Sequence, residues 1–163
     1  MKTVQRISRP AYLALLCLQL LFAGCSQTPT EEAIRTELES MAAAIEARQS
    51  GAVASRLHEN FISEGAHGGM DRRAVQRTLM AIFYRHQDIS VTLTNIQVTP
   101  DPVNRSRASA TFNALTTGGD GGLLPSSGEL YRVESEWQLV DDEWKLLKLS
   151  GKRALEGSSS PSL

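Results

Sequence analysis

Two hydrophobic periods succeed one another along this chain. In the first, Ile34, Leu38, Met41, Ala42 and Ile45 recur at helical spacing and form one apolar stripe, with Arg35, Glu37, Glu39 and Arg48 largely off it. The segment Thr28-Pro29-Thr30-Glu31 supplies the start, with Thr28 as N-cap, Pro29 as the first helical residue and Glu31 as capping-box partner. Ser50-Gly51 is the expected stop, because glycine is favoured just past a helix C-terminus. A short second helix is predicted over residues 52–57, with Val53 and Leu57 inward. A short strand over 59–63 and a turn at Ala66-His67-Gly68-Gly69 follow. Asp71 then caps a third helix over 72–86, with Val75, Leu79, Ile82 and Phe83 on one face.

From Ile89 onward the period is two. Ile89, Val91 and Leu93 alternate with polar residues, and Ile96 and Val98 continue on the opposite parity, which predicts a bulge near Thr94-Asn95. Pro100-Asp101-Pro102 ends that strand. In the next, Ala108, Ala110, Phe112 and Ala114 oppose Arg107, Ser109, Thr111 and Asn113. Residues 116–128, rich in Gly, Ser and Pro, read as a flexible connection. Tyr131, Val133, Ser135, Trp137 and Leu139 then face one way, and Arg132, Glu134, Glu136 and Gln138 the other. Asp141-Asp142-Glu143 turns the chain into a return strand over 144–152, where Leu146-Leu147 breaks the alternation and predicts a second bulge. This order predicts an α+β domain over 28–155, three N-terminal helices packed on a curved antiparallel sheet, followed by a Ser-rich disordered tail over 156–163.

The chain begins differently. Lys2, Arg6 and Arg9 precede an apolar run over 11–22 that only Gln19 interrupts. A basic start, a short apolar stretch and then small residues are the pattern of a secretory signal peptide, here residues 1–24. The run is shorter than the roughly 20 residues a membrane span needs. It ends Leu21-Phe22-Ala23-Gly24-Cys25, which resembles the bacterial lipobox in Ala23, Gly24 and Cys25, with Phe22 standing where an aliphatic residue is commoner. The resemblance implies a diacylglycerol thioether and an acylated amino group on Cys25, hence a durable hold on the bilayer. Residues 25–27 are then a lipidated tether. Ser26 stands where Asp tends to retain lipoproteins in the inner membrane, so the expected location is the outer membrane, facing the periplasm.

Composition narrows the partners. Of 17 basic residues the signal carries three, leaving 14 against 18 acidic ones, a net charge near −4, with no basic block. Nucleic acid is therefore a poor partner. Cys17 leaves with the signal, so the mature chain has one thiol, at Cys25, and no disulfide. No cofactor is expected.

The element order, together with Leu57-His58-Glu59-Asn60-Phe61, Gly69-Met70-Asp71-Arg72 and Glu143-Trp144-Lys145-Leu146, resembles the nuclear transport factor 2-like superfamily, which includes polyketide-cyclase-like proteins. A cystatin-like arrangement is the alternative fold. The resemblance implies a sheet wrapped into a cone with an internal pocket, but no particular activity, since members include isomerases, dehydratases, cyclases and non-catalytic binding domains. Where enzymatic members often carry an acidic residue at the start of the first strand, this chain reads Glu59-Asn60. Members often dimerise through the open sheet, so a homodimer is one implied partner. Arg132, Glu134 and Glu136 on that face read first as solvated cross-strand pairs.

Candidate chemistry is sparse. His58, Glu64 and His67 are irregularly spaced, and His67 lies in a Gly-rich turn, so no metal site is expected. His58 and Glu64 are the candidate bases, with Tyr84 or Tyr131 as hydroxyl donor to a carbonyl. For His58 the simpler reading is a helix-end histidine near exposed carbonyls. Phe61, Tyr84, Phe112, Tyr131, Ser135 and Trp137 form a candidate apolar pocket with a few hydroxyls, the bland alternative being core. The first functional reading is a non-catalytic binding or assembly module, anchored in the membrane, for a small apolar ligand or an envelope protein. The second is a cyclase- or isomerase-type enzyme.

Overall fold

The computed structural model describes residues 29–64, 69–119 and 128–154. The signal, Cys25, the Thr28 cap, residues 65–68 of the first turn, residues 120–127 of the connection and the tail lie outside the described residues. The elements in chain order are α1 (Pro29–Glu46), α2 (Ser50–Ser55), β1 (Leu57–Glu64), β2 (Met70–Asp71), α3 (Arg72–Arg85), β3 (Asp88–Pro100), β4 (Arg107–Gly119), β5 (Glu129–Val140) and β6 (Glu143–Arg153).

The α+β layout stands, and several local expectations change: residues 116–119, expected in a flexible connection, belong to β4, and Leu57, expected in the second helix, opens β1. α1 ends at Glu46, before the Ser50-Gly51 expected to stop it, and Gly51 lies inside α2. Arg48 takes the left-handed conformation at φ 57°. Its N–H donates to the Ile45 carbonyl at 2.9 Å, and that of Gln49 to the Ala44 carbonyl at 2.8 Å. This pair of bonds is the Schellman closure, made here without glycine. Asp71 caps α3 as expected, its carboxylate accepting from the Ala74 N–H at 2.7 Å.

The strands form one curved, unclosed sheet in the order β2-β1-β6-β5-β4-β3. It is mixed where a purely antiparallel sheet was expected, because β1 runs parallel to β6. α2 delivers the chain to the end of the sheet where β6 begins, and the Leu146 N–H donates to the Arg56 carbonyl at 3.0 Å, so both strands leave from that end. Both bulges fall where the parity breaks. The β3–β4 register shifts between Thr94 and Gln97, with Asn95 at φ 53°, and the β5–β6 register skips Leu147.

α1 crosses the inner face of the sheet. Its first turns meet the β5–β6 hairpin, with Glu32 and Ala33 beside Trp144. Arg35 donates to the Ile96 carbonyl at 3.0 Å, next to the bulge, and Glu37 pairs with Arg56, just before β1, at 3.2 Å. At its end, Glu46 accepts from the Val91 N–H at 2.8 Å. Ile34 and Leu38 are thereby pressed onto Trp137, Phe112, Val133 and Leu146. Trp137, Ile34 and Leu146 are the largest fully buried side chains, and burying such a side chain contributes about 1.5–3 kcal/mol.

Candidate functional site

The ladder registers map the inner face. From the hairpin end outward, β5 presents Trp137, Ser135, Val133, Tyr131 and Glu129. Opposite them β4 presents Ala108, Ala110, Phe112, Ala114 and Thr116. Trp137 lies beside Leu146 of β6, Val133 beside Gly151, and Tyr131 beside Arg153. Tyr131 is flanked by Ala114 on β4 and Arg153 on β6, with Phe112, Val133 and Gly151 forming the next row toward the hairpin.

Burial sorts the expected pocket. Phe61, Phe112, Ser135 and Trp137 are buried core. The Ser135 hydroxyl is satisfied locally, donating to the Ala110 carbonyl at 3.0 Å and accepting from the Trp137 indole N–H at 3.0 Å. Tyr84 does not join them. Its neighbour Phe83 takes the inward position of α3, which leaves Tyr84 90% exposed. Of the candidate lining, Tyr131 alone sits partly buried, away from the hairpin end.

Tyr131 is not solitary. Its hydroxyl donates to the Glu129 carboxylate, and Arg153 pairs with the other oxygen of Glu129 at 2.9 Å. The three share one face because Glu129 and Tyr131 are two apart on β5 and Arg153 is opposite Tyr131 on β6. The hydrogen bond to Glu129 raises the Tyr131 pKa above its ordinary value; burial adds to the rise and Arg153 opposes it. The phenol therefore stays protonated at neutral pH. A ligand with a hydroxyl, carbonyl or carboxylate end would find here a donor phenol, an acceptor carboxylate and a guanidinium in one row. Glu129 and Arg153 escaped the sequence reading, which drew β5 from Tyr131 and β6 only to Lys152.

The candidate bases fall elsewhere. Glu64 lies opposite Ser150, on the outer face, and pairs with Lys148 at 2.7 Å. Alternation along β1 puts Phe61 and Ser63 inside and Ile62 and Glu64 outside, which removes Glu64 from the cone. His58 is buried, and its Nδ1 accepts from the Asn60 N–H at 3.0 Å. It follows Leu57, which pairs with Leu146 beside Trp137. Trp137 is six residues from Tyr131 on β5, about 20 Å along the strand at roughly 3.3 Å per residue. His58 and Tyr131 thus belong to opposite ends of the sheet, and neither expected base meets either expected hydroxyl.

Among the described residues no group of three or more His, Cys, Asp and Glu is placed to hold a metal ion, and no helix is long and apolar enough to cross a membrane. An open groove of about 430 Å³ between the start of α1 and the β5–β6 hairpin is lined by Glu32, Glu37, Asp142 and Glu143 beside Trp144.

No protein-family model matches the chain, nor does any curated sequence. Solved structures do. A candidate dehydratase of the nuclear transport factor 2-like family from Streptomyces avermitilis superposes with a TM-score of 0.67 at 17% identity, over 78% of this chain and 99% of that one. The hexachlorocyclohexane dehydrochlorinase LinA-type3 of Novosphingobium barchaimii LL02 gives 0.64 at 18% identity, over 82% and 95%. A protein of unknown function with a cystatin-like fold from Nostoc punctiforme PCC 73102 gives 0.64 at 9% identity, over 80% and 96%. The fold is the one shared by nuclear transport factor 2-like and cystatin-like proteins. At these identities the likeness concerns the fold alone, and function rests on the site.

Proposed function

We propose that the chain is a lipid-anchored envelope protein whose domain holds a small, largely apolar ligand on the inner face of the sheet, without catalysing a reaction. One observation carries the reading. The charged row Glu129–Tyr131–Arg153 lies on that otherwise largely apolar face, beside Ala114. Leu93, opposite Ala114 and partly buried against the core, continues the apolar surroundings onto β3. Binding sites of this kind combine an apolar lining with a few polar groups that fix orientation.

The anchor is the second half of the proposal and rests on residues 1–25. Three residues separate Cys25 from Pro29, where α1 begins, a reach of about 14 Å at roughly 3.5 Å per residue. An acylated Cys25 would keep the domain against the bilayer, here assigned to the periplasmic side of the outer membrane. Native mass spectrometry of the mature protein, extracted in detergent from its own envelope, tests both halves. A triacylated Cys25 and a retained small molecule are expected. An unmodified Cys25 contradicts the anchor, and an empty domain contradicts the ligand. Turnover of the retained molecule by the purified protein would move the reading to the cyclase- or isomerase-type enzyme, with Tyr131 as its hydroxyl donor.

A further inference from the structure

Among the described residues, five of the seven exposed large hydrophobics lie on α3, β1 and β2, while Val103 and Leu115 lie elsewhere. Met80, Ile82 and Tyr84 of α3 are exposed, and so are Ile62 and Met70 of β1 and β2, the strands α3 packs against. Tyr84 is 90% and Met80 57% exposed, and at four residues apart they share one side of α3. Exposed apolar side chains held together on one side of a helix mark an interaction surface.

The charge of α3 says what kind. Arg72, Arg73, Arg77 and Arg85 lie on this helix and no acidic residue does, although the mature chain is acidic overall. Arg73, Arg77, Met80 and Tyr84 recur at i, i+4, i+7 and i+11, which is one stripe of a helix, and all four are exposed. Guanidinium groups interleaved with a methionine and a tyrosine fit a lipid headgroup layer. Phosphates pair with the arginines, whose apolar stems lie along the surface, and an aromatic ring with a polar tip settles at the interface.

We infer that the Arg73–Arg77–Met80–Tyr84 stripe of α3 is a docking face for an anionic phospholipid bilayer. α3 packs beside β1 and β2, one edge of the sheet. The docking face does not depend on the ligand reading, and the anchor contributes to it only proximity.

The test uses the mature chain from residue 25 with Cys25→Ser, so that no acyl chain assists, and sedimentation with vesicles of phosphatidylglycerol and phosphatidylethanolamine. Binding is expected, weakening as salt rises and absent on phosphatidylcholine vesicles. At about fivefold per basic residue near an anionic surface, R73E/R77E is expected to weaken binding about thirtyfold or more. M80S/Y84S is expected to weaken it as well, with both variants keeping the wild-type circular dichroism spectrum. Y84W is expected to be quenched by brominated acyl chains. No binding to the anionic vesicles, or binding that survives both double variants, overturns the inference. Capture of an acidic protein through Arg73 and Arg77 without vesicle binding overturns it too. The acylation state of Cys25 in the native protein leaves this test unaffected.

Discussion

The indole N–H of Trp137 donates to the hydroxyl of Ser135, 3.0 Å away and two residues earlier on the same inner face of β5. Because Ser135 hands its own hydrogen to the Ala110 carbonyl, one buried hydroxyl satisfies a buried donor and reaches the neighbouring strand. Ser135→Ala leaves the indole N–H without that acceptor. The expected loss is about 1–3 kcal/mol in urea unfolding with the slope unchanged, since a buried polar group is orphaned while the packing stays.

The β5–β6 turn stores a removable cost. Asp141 and Asp142 both have positive φ, at 50° and 63°, as a two-residue type I′ hairpin requires. Left-handed backbone at a residue with a Cβ costs about 1–2 kcal/mol, less for Asp and nothing for Gly. Asp142→Gly should therefore stabilise the domain by up to about 1 kcal/mol, the gain being set against the greater freedom of glycine in the unfolded chain. Thermal unfolding reads this directly.

Tyr131 gives a pH signature. Its pKa is raised in the folded chain by the hydrogen bond to Glu129 and by burial, so the folded state holds the phenolic proton more tightly than the unfolded state does. That contribution is present below the unfolded value near 10.0 and is lost as pH rises through the folded value. The stability difference between wild type and Y131F should be constant from pH 8 to 9.5 and shrink above pH 10, as followed by urea unfolding at each pH.

Glu64 separates the two functional readings. It sits on the outer face, paired with Lys148 in solvent. Glu64→Gln should change stability by no more than about 0.5 kcal/mol and leave ligand retention as in the wild type. A lost activity or ligand in this variant would restore Glu64 as a candidate base.

The sequence disclosed what local pattern controls. The parity switch between Leu93 and Ile96 marked the bulge at Thr94-Asn95, and Leu146-Leu147 marked the other, because a strand with one buried face cannot change parity otherwise. Asp71 was legible as a cap for the same local reason. The parallel pairing of β1 with β6 was hidden, since neighbours distant in sequence are chosen by tertiary packing. The polar row was half hidden. Counting back from the Val140–Glu143 pair without a bulge puts Lys152 opposite Tyr131, whereas skipping Leu147 puts Arg153 there. Tyr84 misled because α3 carries apolar residues on its outward side as well, and helical period alone does not tell a core face from an exposed one.

Native mass spectrometry of the envelope-extracted protein, run side by side on wild type, Y131F and R153A, tests the central claim most directly. The wild type is expected to carry a small apolar molecule in addition to its lipidated Cys25. Both variants are expected to lose that molecule, in whole or in large part, while keeping the lipid and the folded charge-state distribution. A wild type with an empty domain, or variants that retain the molecule as fully as the wild type, would contradict the assignment of Glu129, Tyr131 and Arg153 as its binding row.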